Sequence, residues 1–302
     1  MTKKEQKQIQ KELSEQTLGI YAGILFNNQR FIDGNNEEII YNFDCPEYKE
    51  LKEKYNLVEI AGDGTDFDKA KKLLHYLAPR LTHSSWYDNH IVCNALALLE
   101  YSLNNPEQGI NCLNKAKILE ECCLALGIYA RRVCIMPYSP FDFDNHVVTE
   151  IYDRKLNKWI MLDPTTDGLF VDENKTPLSL LEIRNNFAND DFVTFVRSTD
   201  KLTELNKLKD KYLGESAYIC KNLFYFYVDK DSTFGTTGNS LAFVPINYSV
   251  KEKDIANTKY RINHLPEEYK DWKCDLKKRL ENLSNYSEIE RTNINSMIKS
   301  PL

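Results

Sequence analysis

The sequence holds eight cysteines (Cys45, Cys93, Cys112, Cys122, Cys123, Cys134, Cys220 and Cys274) but no Cys-x-x-Cys pair, which excludes a zinc ribbon and a thioredoxin-type motif. Basic excess is also missing: 39 lysines and arginines face 45 aspartates and glutamates, a formal net charge of −6. A chain of that balance lacks the electrostatic footprint of a nucleic-acid binder. Long apolar runs are absent too. The longest early one, Leu18 to Phe26, follows the charged stretch Lys3 to Glu15 and precedes Asn27-Asn28-Gln29, with no small-residue cleavage pattern. It is too short to span a bilayer and is placed wrongly for a secretory signal, so no membrane association is expected and the expected location is the cytoplasm. Without secretion, the Asn-x-Ser/Thr tripeptides at Asn174, Asn247, Asn282 and Asn285 carry little meaning.

Other absences narrow the cofactor question. Asp63, Asp66 and Asp68 lack the glycine and terminal glutamate of a calcium loop, and helix capping explains them better. The Gly/Thr-rich loop from Ser232 to Asn239 has no Gly-Lys-Ser/Thr and so no phosphate cradle. His83 and His90 lie seven apart and could share a helix face, yet no third ligand stands at a matching spacing. No metal and no cofactor are expected. The 11 glycines and 10 prolines form no linker, and no repeat is visible, so the chain reads as one elaborated domain.

What is present is a globular composition, 42% hydrophobic and 12% aromatic over 302 residues, enough for a core without staples. Residues 1–16 read as a charged helix or frayed tail, and 19–60 as short mixed segments with a turn at Asp33-Gly34. Thr65 and Asp68 form a capping pair ahead of Phe67, Ala70, Leu74 and Leu77 at helical spacing. A second helix is predicted over 89–103. The third is the best defined: Asn111 as N-cap, Gly127 just past the end, and Cys112, Ala116, Leu119, Cys123 and Leu126 as one apolar stripe. The period then changes, and strands are predicted over 129–136, 146–152 and 158–162. Thr176-Pro177 reads as a helix start, 200–212 as a helix ended near Gly214, 222–228 and 240–248 as strands, and the tail from Glu267 as a charged helix.

Chemistry concentrates at three residues. Cys112 opens a helix, where unpaired N–H groups and the dipole favour an anion, although a cysteine on an inward stripe is usually a small hydrophobe. If Asp153-Arg154-Lys155-Leu156 is a four-residue hairpin loop, Tyr152 faces Asn157 and His146 lies directly across from Asp163. Opposed residues share a face, close enough for a carboxylate to hold an imidazole in one tautomer. A five-residue loop would shift the register by one and part them, and the pattern admits both registers. Cys122, Cys123 and Cys134 read as core thiols. Asp142 and Asp144 flank a loop before His146, either at the mouth of a site or simply solvated.

The residues around these three carry a resemblance. Gly109-Ile110-Asn111-Cys112 with Ala116, then Gly127-Ile128 and Ala130-Arg131, then His146-Val147-Val148-Thr149-Glu150, then Trp159-Ile160-Met161-Leu162-Asp163-Pro164-Thr165 closely resemble the transglutaminase-like cysteine-enzyme superfamily. The likeness covers about residues 65–170. It departs from the family at Gly109, three positions before the cysteine instead of two, and at Val148, where many members carry tryptophan. The resemblance implies an α+β, papain/transglutaminase-like core with a nucleophile-bearing helix packed on an antiparallel sheet and elaborated at both ends. The boundaries drawn are an N-terminal extension over 1–60, the core over 61–200 and a C-terminal α+β elaboration over 201–302. It also implies Cys112 as nucleophile, His146 as general base and later acid, and Asp163 as orienter. The reaction would be acyl transfer or amide hydrolysis on a protein, peptide or amide substrate. The backbone N–H of Cys112 is the natural first oxyanion donor, with Trp86, Asn89 and Asn94 as candidates for the second, none of them decisive and Trp86 reading more readily as core or rim. The alternative from another class is a binding or scaffolding module that keeps the fold without using the thiol. An arylamine N-acetyltransferase-type reading expects a basic Gly-rich run where Asn105-Pro106-Glu107-Gln108 stands, and a peptide N-glycanase reading lacks its zinc pairs.

Overall fold

The computed structural model of the chain describes residues 2–31, 34–285 and 287–302, so the Asp33 half of the expected turn lies outside the described residues. Helices α1 (Lys3–Phe26), α2 (Glu47–Lys54), α3 (Leu57–Ala61), α4 (Asp66–Leu77), α5 (Ala95–Asn104) and α6 (Cys112–Ala125) come first, with the two-residue β1 (Ile40–Tyr41) among them. Strands β2 (Ala130–Met136), β3 (His146–Asp153), β4 (Lys158–Leu162) and β5 (Gly168–Val171) follow, then α7 (Leu180–Asn189), β6 (Thr194–Arg197), α8 (Leu205–Lys211) and α9 (Leu213–Asn222). The chain ends with β7 (Tyr225–Asp229), β8 (Asp231–Ser232), β9 (Ser240–Phe243), α10 (Val250–His264), α11 (Lys270–Asn285) and α12 (Asn295–Ile298).

The class is α+β. Five strands form an antiparallel sheet in the order β4-β3-β2-β7-β9. Side chains alternate across it, as a pleat requires. Ile151, Ile160 and Leu162 join the apolar cluster built with α4, α5 and α6, while Val133, Val148 and Met161 join the one built with α7 and α9. On the first side α6 lies against β2 and β3, and the Thr149 hydroxyl donates to the Ala116 carbonyl at 3.0 Å. The expected apolar stripe of α6 is there, but the helix is buried all round from Asn114 to Ala125. Lys117 therefore pairs inside with glutamates of its own helix, 3.0 Å from Glu120 and 3.2 Å from Glu121. Glu121 also accepts the backbone N–H groups of Ala95 and Gly235.

Several boundaries differ from expectation, each for a local reason. Of the two readings of residues 1–16 the charged helix holds, but it is longer than expected: α1 opens with a Thr2/Glu5 capping box and runs on through Leu18–Phe26, which packs on the core. The helix predicted from residue 89 starts at Ala95, because Asn89 is left-handed (φ 59°) and Asn94 caps by accepting from Ala97 N–H at 2.9 Å. Thr176-Pro177 does not open a helix. Pro177 bridges Val171 as extended chain, and the Ser179/Glu182 capping box starts α7 three residues later. Gly214 falls inside α9 instead of ending a helix, since the break comes at Tyr212. Helix α10 and the β5–β6 pair were not anticipated: α10 carries too thin an apolar edge to show a period.

The hairpin register is also corrected. Asp153 faces Lys158 and Tyr152 faces Trp159, so the loop is Arg154 to Asn157, one position later than expected. Asp153 fixes this turn, accepting from Leu156 N–H at 2.7 Å and, across the core, from Phe67 N–H at 2.7 Å. Asn157 closes it in a left-handed conformation (φ 55°). The ladder is thus displaced by two residues, and a two-residue shift keeps every side chain on its face.

Candidate active site

Cys112 is the first residue of α6. Asn111 caps the helix by accepting from Asn114 N–H at 3.2 Å, and its own amide donates to Asn89 Oδ1 at 3.0 Å. The loop before it is held by backbone pairing with residues 82–84: Ile110 N–H donates to Thr82 O and Ser84 N–H to Ile110 O, both at 3.0 Å. Gly109 makes that approach feasible, because a Cβ there would lie 2.6 Å from the His83 carbonyl carbon and 2.7 Å from Ser84 N. The glycine that stands one position early thus serves the packing of the loop that leads into the helix.

His146 opens β3 and Asp163 follows β4. Although the corrected ladder no longer sets them directly opposite, they share a face and meet diagonally, His146 Nε2 lying 3.0 Å from Asp163 Oδ2. Asp163 is held from two more sides, by the Thr166 hydroxyl at 2.8 Å and the Thr165 N–H at 2.8 Å. Both partners are buried, at 3% and 1% exposure. Burial alone would lower the pKa of His146. The Asp163 carboxylate, by charge and hydrogen bond, and then the Cys112 thiol outweigh it and push the imidazole up to about 10. Burial would likewise raise Asp163, but His146, Thr166 and Thr165 hold it below the usual carboxylate range.

Cys112 and His146 line one cleft of about 730 Å³ together with His83, Ser85, Asp144 and Tyr218. Tyr218 packs edge-on against His146 at 5.4 Å and donates to Asp144 at 3.2 Å. Burial, with the Asp144 and Cys112 charges, keeps that hydroxyl protonated, so it remains a donor. Of the two loop aspartates, Asp144 lines the cleft, and Asp142 is ion-paired with Lys221 at 2.9 Å. Cys134 also differs from expectation: it is half-buried on the cleft wall and not in the core. Cys122 and Cys123 are core residues.

The three proposed second oxyanion donors are placed elsewhere. Trp86 is 95% exposed, Asn94 caps α5 and Asn89 holds Asn111. His83, Ser85 and Asn111 are the polar side chains that line the cleft on that side. His83 and His90 share no helix face, since both stand in loop and His90 bonds Asp88. Asp66 and Asp68 are engaged by Arg154 and by the Thr65 cap. Among the described residues no group of three or more His, Cys, Asp or Glu could hold a metal ion, and no helix is long and apolar enough to cross a membrane.

Lys115, one turn after Cys112, was missed because Lys-x-Lys on a helix reads as a solvated face. It is 2% exposed, and its ammonium has no hydrogen-bond or ion-pair partner among the described residues. Burial pushes its ammonium down to about 8, against the opposing pull of Asp163 and Cys112. Below about pH 8 the ammonium is charged in both folded and unfolded chains and its burial penalty is fully present; above 10.5 both are neutral and the penalty is gone. Lys115→Met is therefore expected to stabilise the fold by about 1–3 kcal/mol at pH 7, the gain shrinking as pH rises from 8 to 10.5. Urea denaturation of both proteins across that range measures it, and a pH-independent difference would contradict it.

Comparison with curated proteins gives no match. Among solved structures, a putative cysteine protease from Cytophaga hutchinsonii is similar at 16% identity with a TM-score of 0.32, over 53% of this chain and 50% of that one. This chain therefore spans about half the length of that relative. Residues 55–164, the stretch that carries Cys112, His146 and Asp163, match the model of the transglutaminase-like superfamily.

Proposed function

We propose that the chain is a cysteine-dependent amidase, peptidase or acyltransferase acting on a protein, peptide or amide substrate. The observation that carries this reading is the buried His146–Asp163 pair set in the same cleft as a cysteine that begins a helix. Cys112 gives its proton to His146, whose imidazolium the Asp163 carboxylate stabilises, and Sγ attacks the amide carbonyl as the thiolate; the backbone N–H of Cys112, unpaired at the first helical position, donates to the oxyanion. His146 then gives the proton to the leaving amine, and a thioester remains. Water resolves it to a carboxylic acid, or a second amine to a new amide. Asp163 keeps the imidazole oriented throughout. Lys115 adds positive charge beneath the same helix start. A cytoplasmic location belongs to the same reading and is supported by the eight free thiols.

Limited labelling with iodoacetamide at mildly acidic pH, where an ordinary thiol is protonated, tests the nucleophile. Cys112 is expected to be labelled first among the eight, ahead of the exposed Cys274. Labelling of Cys274 or Cys45 with Cys112 untouched would overturn the proposal.

A further inference from the structure

The cleft continues past Phe143 into a second cavity of about 230 Å³ between β7, α10 and α11. Met136, Phe143, Asn145 and Tyr227 line both, so the two are contiguous. Into the second cavity the fold brings three cations, Lys253 and Arg261 from α10 and Arg279 from α11, and two carboxylates, Asp142 and Asp254. The carboxylates are already occupied. Asp142 pairs with Lys221 at 2.9 Å, and Asp254 lies 3.7 Å from Lys253, whose ammonium also donates to the Tyr225 hydroxyl at 3.3 Å. Arg261 is instead set against aromatic faces, its guanidinium 5.7 Å from the Phe143 ring and 4.8 Å from that of Trp272. Neither the Arg261 nor the Arg279 guanidinium has a hydrogen-bond or ion-pair partner among the described residues. Arg261 is half-buried and Arg279 exposed, near enough for each to repel the other's charge, and an anion set between them removes that repulsion.

We infer that this cavity is a substrate subsite for one carboxylate, the side chain of an acidic residue in a peptide whose scissile or acyl-donor carbonyl reaches Cys112. With Lys253 beside Asp254 and Asp142 held by Lys221, the two guanidiniums remain, and their planar N–H forks match a carboxylate, the anion that a peptide substrate carries in its own side chains. The cavity volume suits an acidic side chain. The shared Phe143 wall lets one extended peptide occupy both spaces. The inference rests on the proposed acyl chemistry for its meaning, though the binding itself does not need the thiol.

The test uses the full chain as Cys112→Ala, so that binding is read without turnover. Blocked hexapeptide amides carrying one glutamate, or one glutamine, at each position in turn are titrated by calorimetry at low salt. At one position the glutamate peptide should bind at least about tenfold more tightly than its glutamine partner, a preference that weakens with salt. Arg261→Gln and Arg279→Gln, each added to Cys112→Ala, should each cut that preference severalfold, and together abolish it, with the glutamine peptide's affinity unchanged. Equal binding of the paired peptides at every position, no binding of either, or a preference that survives both substitutions would overturn the subsite. Preference for glutamate in a wild type that leaves all the peptides unmodified would uphold the subsite and count against the acyl chemistry alone.

Discussion

Cys112→Ala should lower turnover of an amide or glutamine substrate by about 10³-fold or more while leaving the protein folded. The covalent route needs the thiol, and alanine offers no substitute. The residue is only half-buried at the first turn of α6, so the lost volume should cost about 1–2 kcal/mol, below a typical core cavity. His146→Ala should match it in turnover. Asp163→Asn should also be impaired, because the amide can present its donor to the imidazole and stabilise the wrong tautomer. The substrate must first be found with a screen of peptide, glutamine-amide and amine-transfer probes. Circular dichroism and denaturation of each variant then separate lost chemistry from lost fold. A Cys112→Ala protein that processed any probe at the wild-type rate would reduce the thiol to a packing residue.

The largest effect on stability is expected from Glu150→Ala. Glu150 and Arg131 are both buried and joined twice, through Arg131 Nε at 3.1 Å and Nη2 at 2.6 Å. The guanidinium also lies 3.8 Å over the Trp159 ring and donates to the Met297 carbonyl at 2.6 Å. Glu150 Oε1 in turn accepts the Leu180 N–H at 2.9 Å, at the start of α7. Removing the carboxylate leaves Arg131 charged and unneutralised inside the protein, with an orphaned helix N–H beside it. The expected cost is about 3–5 kcal/mol. Glu150→Gln should cost less, since its amide oxygen can still accept from Leu180. Urea midpoints for the three proteins measure this, and a loss under about 1 kcal/mol in Glu150→Ala would show that water reaches Arg131.

Local signals made much of the core legible. Asn111 and Gly127 bracket α6, and Gly127 does adopt the left-handed conformation of a residue past a helix end (φ 71°). The Thr65/Asp68 cap opens α4, and the apolar runs after Gly127 are strands. The hairpin register was not legible, because it depends on Asp153 accepting a bond from Phe67, 86 positions away. Only the pleat's period of two kept His146 and Asp163 on one face through the error. The charged residues of α6 misled for a similar reason: a run such as Lys-Ile-Leu-Glu-Glu reads as half solvated, and nothing local tells that α2, α5 and the loop at Thr233 close over it. The arginine cavity joins residues from two helices and a loop about 120 positions upstream, a juxtaposition no window of sequence contains.

The order of the sheet has one more consequence. The matched stretch ends at residue 164, yet its strand β2 pairs on the far side with β7, which begins at Tyr225. A fragment cut to the matched stretch would leave that side of β2 as a bare edge, its N–H and C=O groups open to any other strand. Apolar from Val133 to Met136, such an edge is a template for aggregation. The edge of β2 beside the candidate site is covered because the polypeptide, after leaving that stretch, returns to pair β7 with it.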